Sequence, residues 1–322
     1  TKAMLDAMFS ASVGDDVFGE DPSVNALEAY AAQLFGMEAA LFCPSGTMTN
    51  QIAIKAQTQP LDEIICDKIS HIYNYETAGF AFHSGVSIRL TDGERGVMNV
   101  AQVEACVLPE HDWYPTTKMV CIENSVNKGG GAIYTIEQMQ KISDFCRKNN
   151  LVFHLDGARI FNALTALNKT PKDLHGMFDS ISVCISKGLG APAGSVLLGK
   201  KEMIKRARRI RKVFGGGMRQ SGYLASACLF ALQNNVTRLA EDHEHATVLA
   251  ETLSQLSWVK NVFPVQTNIV IFEVENSATT AQILAEKGIK TSPFSPTLVR
   301  MVTHLDFTKE QLQQAVEILK TL

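Results

Sequence analysis

The sequence predicts an α/β fold: a large domain on a mixed, mostly parallel sheet, followed by a smaller α+β domain. Three observations carry this. Short apolar runs alternate with longer amphipathic stretches from Ala39 to about Gly199. The runs are continuous rather than alternating apolar with polar, the pattern of strands covered on both faces. From about Gln220 the pattern changes to a long helical stretch and then a second set of strands. The division is expected as residues 1–240 and 241–322, within the reach of a 322-residue chain.

The first strand is expected at Ala39–Cys43. Pro44-Ser45-Gly46-Thr47-Met48-Thr49-Asn50 follows it and opens a helix. Gly46 permits close backbone approach, and the helix N–H groups with the Ser45 and Thr47 hydroxyls make an anion site. An ordinary helix cap accounts for the same residues. The second strand, Asp62–Asp67, leads into Ser70-His71-Ile72-Tyr73-Asn74-Tyr75-Glu76. His71 thus sits just past a strand end, on the edge where sites form in open sheets. An imidazole there can stack on a flat ring and move protons. Strands at Ser84–Thr91 and Lys118–Glu123 come next. A helix over Thr135–Asn149 places Ile136, Met139, Ile142 and Phe145 on one face.

The most informative pair lies beyond it. Leu151–Asp156 is an apolar strand closed by an acid, and Ser180–Ile185 is another, followed by Ser186-Lys187-Gly188-Leu189-Gly190. Pyridoxal phosphate needs an amine to join and a carboxylate to keep its pyridine nitrogen protonated. Lys187 and Asp156 supply that combination; a lysine in a glycine-rich surface turn is the alternative for Lys187 alone. Ser195–Gly199 follows too closely for a helical crossover, so it is expected antiparallel to its predecessor.

In Lys205–Lys212 the charges mostly suit a solvated helix face. Lys212 precedes Val213-Phe214-Gly215-Gly216-Gly217-Met218-Arg219, and three ordered glycines imply a backbone reason. That loop can bring Lys212 and Arg219 to a phosphate. A helix over roughly Gln220–Ser257 is expected next. Within it, Asp242-His243-Glu244-His245 is not a metal site, because residues two apart do not share a helix face. Strands follow at Val262–Val265, Asn268–Glu273 and Leu298–Thr303. Arg300 in the last of these needs a partner, and a substrate carboxylate or an internal salt bridge would both serve. Thr308-Lys309-Glu310-Gln311 is a capping box that starts a final helix.

Composition excludes several classes. A net charge of −3 argues against a nucleic-acid partner. No apolar run approaches the ~20 residues of a membrane span. The seven cysteines lack CxxC spacing. Their odd number, and no secretory leader in this sequence, predict a reducing, cytoplasmic compartment.

Taken together, these motifs resemble the low-specificity L-threonine aldolases, fold-type I pyridoxal-phosphate enzymes of the aspartate-aminotransferase architecture. The similarity is carried by Gly14–Asn25, His71–Glu76, Asp156–Ala163, Ser186–Gly190, Gly215–Ser221 and Arg300–His304. The resemblance implies that Lys187 bonds the cofactor, Asp156 pairs with its ring nitrogen and His71 stacks on the ring. It implies that Ser45, Gly46, Thr47 and Ser186 contact the cofactor, with Lys212 and Arg219 reaching its phosphate, some from a neighbouring subunit. Arg159 and Arg300 would bind the amino-acid carboxylate. Homotetramers built from dimers, with sites at the subunit interface, are the implied assembly. The implied reaction is retro-aldol cleavage of threonine-like β-hydroxy amino acids to glycine and an aldehyde. Rival readings are β-elimination or racemisation on the same cofactor, and a cofactor-binding chain without turnover.

Three departures from that family stand out. Its serine in a Ser-Asp-Thr-Val-Thr-like segment falls before the first residue here. Val126 stands where many members have histidine near the substrate hydroxyl, so a different base is required: His71 or a water. Phe18 replaces a tyrosine.

Overall fold

Alternate residues of each apolar run face opposite sides of one sheet. Phe42, Phe153, Leu155, Val183 and Val196 enter the main core. Leu41, Cys43 and Leu197 face the other way, onto Ile52, Ala53 and Ile204, while Ile64, Cys66, Met119 and Cys121 do the same beside Ile54 and Ile72. Burial on both faces explains why the runs carry no polar alternation.

The computed structural model describes residues 1–322. Its large sheet has strands β1 (Ala39–Cys43), β2 (Asp62–Asp67), β3 (Ser87–Thr91), β4 (Thr116–Glu123), β5 (Val152–Asp156), β6 (Ser180–Cys184) and β7 (Ser195–Gly199). Their order is β1-β7-β6-β5-β4-β2-β3. β7 is antiparallel to both neighbours, as its short connection demands, and the pairings among β2 to β6 are parallel. The sheet is therefore mixed and mostly parallel, as expected. The helix Gly46–Gln57 crosses one face and is tied down by the 2.6 Å Thr49–Ser182 hydroxyl contact.

A second, four-stranded antiparallel sheet contains β8 (Asn261–Val262), β9 (Ile269–Glu273), β10 (Ser292–Pro293) and β11 (Leu298–Val302), ordered β10-β11-β9-β8. Its core of Phe272, Val299, Leu284 and Leu312 is separate from the first. The helix Leu239–Leu253 starts with Leu239 in the main core and ends with Leu249 and Leu253 in this one. The final helix, Lys309–Lys320, carries the expected capping box.

Three elements differ from expectation. The helix over Gln220–Ser257 is two, Gly222–Asn234 and Leu239–Leu253. Asn234, Asn235, Val236 and Thr237 are all weak helix formers, and the Asn235 amide leaves the helix to donate to the Leu189 carbonyl at 2.8 Å. Strand β3 begins at Ser87, because Gly79–Ser84 coils into a short helix ended by Gly85 at φ 68°. Strand β8 stops at Val262, since Pro264 has no N–H to continue the ladder. No helix is long and apolar enough to cross a membrane.

Candidate active site

The parallel strands all end on one edge, and their last residues or the loops after them build a cleft of 230 Å³. Ser45, Gly46 and Thr47 follow β1, His71 and Glu76 follow β2, Asp156 ends β5, and Ser186 and Lys187 follow β6; all line it. The turn that presents Lys187 is fixed by backbone bonds from Gly190 N to Lys187 O and from Ile185 N to Gly194 O, with Gly190 at φ 79°. The Lys187 amine has no ion pair within the chain, so the surface-turn alternative gives way to a cleft lysine beside an acid.

Asp156 is buried and its carboxylate is held on both sides. Ala158 N–H donates to Oδ1 at 3.2 Å and the Asn50 amide to Oδ2 at 2.9 Å. The same Asn50 amide donates to Glu76 Oε1 at 2.9 Å. Its orientation is set from behind, because His154 Nε2 lies 3.2 Å from Asn50 Oδ1 and His154 Nδ1 lies 2.8 Å from Ser180 Oγ. Burial pushes the His154 imidazole down to about 4, so it is neutral and can donate from Nε2 while accepting at Nδ1.

His71 Nδ1 lies 3.0 Å from Glu76 Oε1. Burial opposes a charge on this ring. The Glu76 hydrogen bond and the negative charges of Asp156, Glu76 and Glu123 outweigh that and raise its pKa above the ordinary value. Glu123 ends β4 and accepts the N–H groups of His71 and Asn127 at 2.8 and 2.9 Å. Burial pushes its carboxyl up to about 7, with the Asp156 charge adding to the effect. His71, Glu76 and Asp156 have ligand-type atoms within 4.8 Å of one another. Asn50 donates to both carboxylates and His71 bonds to one, which is a hydrogen-bonded cluster rather than a cation cage.

Beside the cleft, two guanidinium groups meet a neutral acceptor. Arg300 Nη1 donates to Asn127 Oδ1 at 2.9 Å, and Arg159 Nη1 reaches the same oxygen at 3.5 Å. Arg300 also lies over the Phe294 ring, 4.9 Å from its centroid. Burial lowers the pKa of both arginines, and for Arg159 the charge of Arg300 adds to this. Neither has a carboxylate partner in the chain, so the internal salt bridge considered for Arg300 is absent. One amide oxygen against two cations leaves an anion site.

Other expected positions lie elsewhere. Lys212 and Arg219 do not line the cleft of their own chain. Lys212 is exposed near the end of the helix Lys201–Val213. Arg219 pairs with Asp15 and lies 6.0 Å from the centroid of the exposed Phe18 ring. Val126 is 1% exposed and packed in the core, so it presents nothing to the cleft. Asp242 is paired with Arg238 and His245 is buried. Sequence reasoning missed Asn50, Glu76, Glu123 and Asn127. Glu123 carried a signal, since it closes β4 as Asp156 closes β5, and Glu76 closes the His71–Glu76 stretch.

Residues 1–277 match the beta-eliminating lyase family. The chain belongs to that family. It is 41% identical to the low specificity L-threonine aldolase of Escherichia coli (strain K12), over 98% of this chain and 93% of that protein. It is 39% identical to low-specificity L-threonine aldolase 1 of Arabidopsis thaliana, over 96% and 89%. The structure of the Leishmania major threonine aldolase superposes with a TM-score of 0.86 at 22% identity, covering 100% of this chain and 96% of that one. A Sphingomonas wittichii serine palmitoyltransferase shares the fold at a TM-score of 0.76 and 17% identity, over 99% and 81%. The fold-type I architecture expected from the motifs is therefore the observed one.

Family and fold imply pyridoxal phosphate, and the residues of the cleft fit it. The unpaired Lys187 amine, the acid Asp156 and the flat His71 ring border one space. The N-terminus of the helix Gly46–Gln57 opens into it. There a Cβ on residue 46 would lie 2.3 Å from Cys184 Sγ, so the backbone is packed as tightly as a glycine allows.

Proposed function

We propose that the chain cleaves L-threonine and related β-hydroxy amino acids to glycine and an aldehyde. The observation that carries this is the convergence of Lys187, Asp156 and His71 on one cleft beside an arginine pair without a carboxylate. Lys187 would bond pyridoxal phosphate, and Asp156 would keep its ring nitrogen protonated. Ser45, Gly46, Thr47 and Ser186 would hold its phosphate end. The cofactor would supply a ring that draws electrons from the substrate α-carbon.

Arg159 and Arg300 take the substrate carboxylate between them in place of the Asn127 oxygen. A carboxylate fixed by two guanidinium groups leaves little rotation about Cα, which orients the Cα–Cβ bond for cleavage. His71 Nε2 accepts the β-hydroxyl proton. The O–H electron pair becomes the second bond of the aldehyde carbonyl, and the Cα–Cβ pair stays on Cα. A proton delivered to Cα then completes glycine.

Residues 241–322 act as a smaller domain that carries Arg300, a division supported by the separate core around Phe272. We also infer a homo-oligomer, a dimer of dimers, in which Lys212 and Arg219 complete a neighbour's phosphate site. Their distance from their own cleft supports that role. Seven unpaired cysteines support a reducing compartment such as the cytoplasm. The deciding experiment supplies threonine, allo-threonine and phenylserine to the cofactor-loaded protein and identifies the products. Glycine and the matching aldehyde are expected. A keto acid with ammonia, or the opposite enantiomer, would replace this reading with elimination or racemisation.

A further inference from the structure

We propose that Glu76 is a positioning residue that holds His71 with its proton on Nδ1, so that Nε2 faces the cleft as the proton acceptor. The inference rests on the assignment of His71 as base and adds what makes it one.

The argument begins with hydrogen-bond accounting at Glu76. Its side chain is 0% exposed. Oε2 accepts from the Gln51 amide at 2.6 Å, and Oε1 accepts from the Asn50 amide at 2.9 Å. The Asn50 amide is fixed as a donor here. Asn50 is oriented by His154, as shown above, and also donates to Asp156. A carboxyl group met by two donors is favoured as the ionised, acceptor-only form. His71 Nδ1, 3.0 Å from Oε1, must then be the donor, which leaves Nε2 without a proton in the neutral ring. Nε2 has no partner in the chain, and His71 borders the cleft. The backbone that carries the ring is anchored as well, because Glu123 accepts the His71 main-chain N–H at 2.8 Å.

Charged and titratable groups face His71 from several elements. Glu76 shares its segment, Asp156 and Glu123 end neighbouring strands, Lys187 borders the same cleft, and the Tyr75 ring lies 5.5 Å away. Lys128 sits over that tyrosine ring, 5.6 Å from its centroid. The acids dominate near the ring, so a neutral His71 is a better base than an isolated imidazole. A base works only when unprotonated, so activity should climb through the raised pKa of His71 as pH increases. Removing the Glu76 charge should move that limb to lower pH and weaken the base.

The test has two arms. In the first, histidines are labelled with ¹⁵N and the ring nitrogens are read by NMR without cofactor, with His71→Asn used only to assign the signal. The proton should be on Nδ1 in the wild-type chain; finding it on Nε2 overturns the proposal, whatever the activity. In the second, turnover against pH is compared for the cofactor-saturated wild type, Glu76→Gln, Glu76→Asp and His71→Asn. Glu76→Gln should shift the acid limb downward and lower the plateau roughly tenfold, less than the ~10²-fold or more expected for His71→Asn. Glu76→Asp should keep the limb near the wild-type position. A Glu76→Gln enzyme with an unmoved limb overturns the proposal for Glu76. A His71→Asn enzyme with near-normal turnover instead overturns the assignment of His71 as base.

Discussion

His154 never touches the cleft, yet it decides which way the Asn50 amide points. A cationic His154 would have no proton acceptor at Nδ1 for the Ser180 hydroxyl, and it would place a charge in a fully buried site. Its folded pKa is pushed down to about 4, below the usual histidine range. The unfolded chain therefore binds more protons than the folded one between about pH 6.5 and 4. Stability from this group is complete above that window and is lost as pH falls through it, by at most about 1.4 kcal/mol per pH unit. Urea melts across pH 4 to 7 should show a shallower pH slope in His154→Asn, even though that variant is less stable near neutrality. An unchanged slope would assign the acid sensitivity to other groups.

In the proposed site the N-terminus of the helix Gly46–Gln57 would cradle the cofactor, and its close seating makes that role testable. Alanine at position 46 has no backbone obstacle, but its Cβ would lie 2.3 Å from Cys184 Sγ. Overpacking of this kind costs about 1–3 kcal/mol. Gly46→Ala should push the helix N-terminus out of place and weaken pyridoxal phosphate binding about tenfold. Cys184→Ala opens the space, so the double variant should recover most of the loss in a fluorescence titration. Equal damage in both backgrounds would show that the sulfur contact is not the cause. Much of this element was legible in the sequence, because a glycine after an apolar run and before a helix has few explanations. Lys187, Asp156 and His71 were legible for the same reason, since strand ends on one sheet edge meet without knowledge of the loops. Asn50, Glu76 and Asn127 were not. Asn50 and Asn127 matter through partners far away in sequence, as Asn50 does through Asp156 and His154, and Glu76 matters through a contact with His71 that only the fold of their loop creates. The break at Asn235 was hidden because its reason is a single buried contact with Leu189.

At the scale of the whole molecule, one surface joins the cations that the cleft lacks. Arg219 lies over Phe18, Lys212 acts on Asp15 beside it, and His83 packs tilted against Phe214 at 4.3 Å and edge-on to Phe82 at 5.0 Å. Phe18, Val213 and Phe82 are 71%, 82% and 85% exposed in the single chain. Apolar rings mixed with cations at such exposure suit a surface that a second copy covers. If that copy also receives Lys212 and Arg219 at its phosphate site, complementation between damaged chains follows. Chains with Lys187→Ala cannot bond the cofactor, and chains with Arg219→Ala hold its phosphate poorly. A hybrid dimer pairs the intact Lys187 of one chain with the intact Arg219 of the other, giving one whole site and one doubly damaged site. Random pairing makes about half the dimers hybrid, so co-expression should restore about a quarter of wild-type activity. The parent variants, mixed after folding without subunit exchange, should stay near their own low levels. No recovery in the co-expressed hybrids, with dimers confirmed by sedimentation, would place Arg219 in the service of its own chain and remove the reason for a shared site.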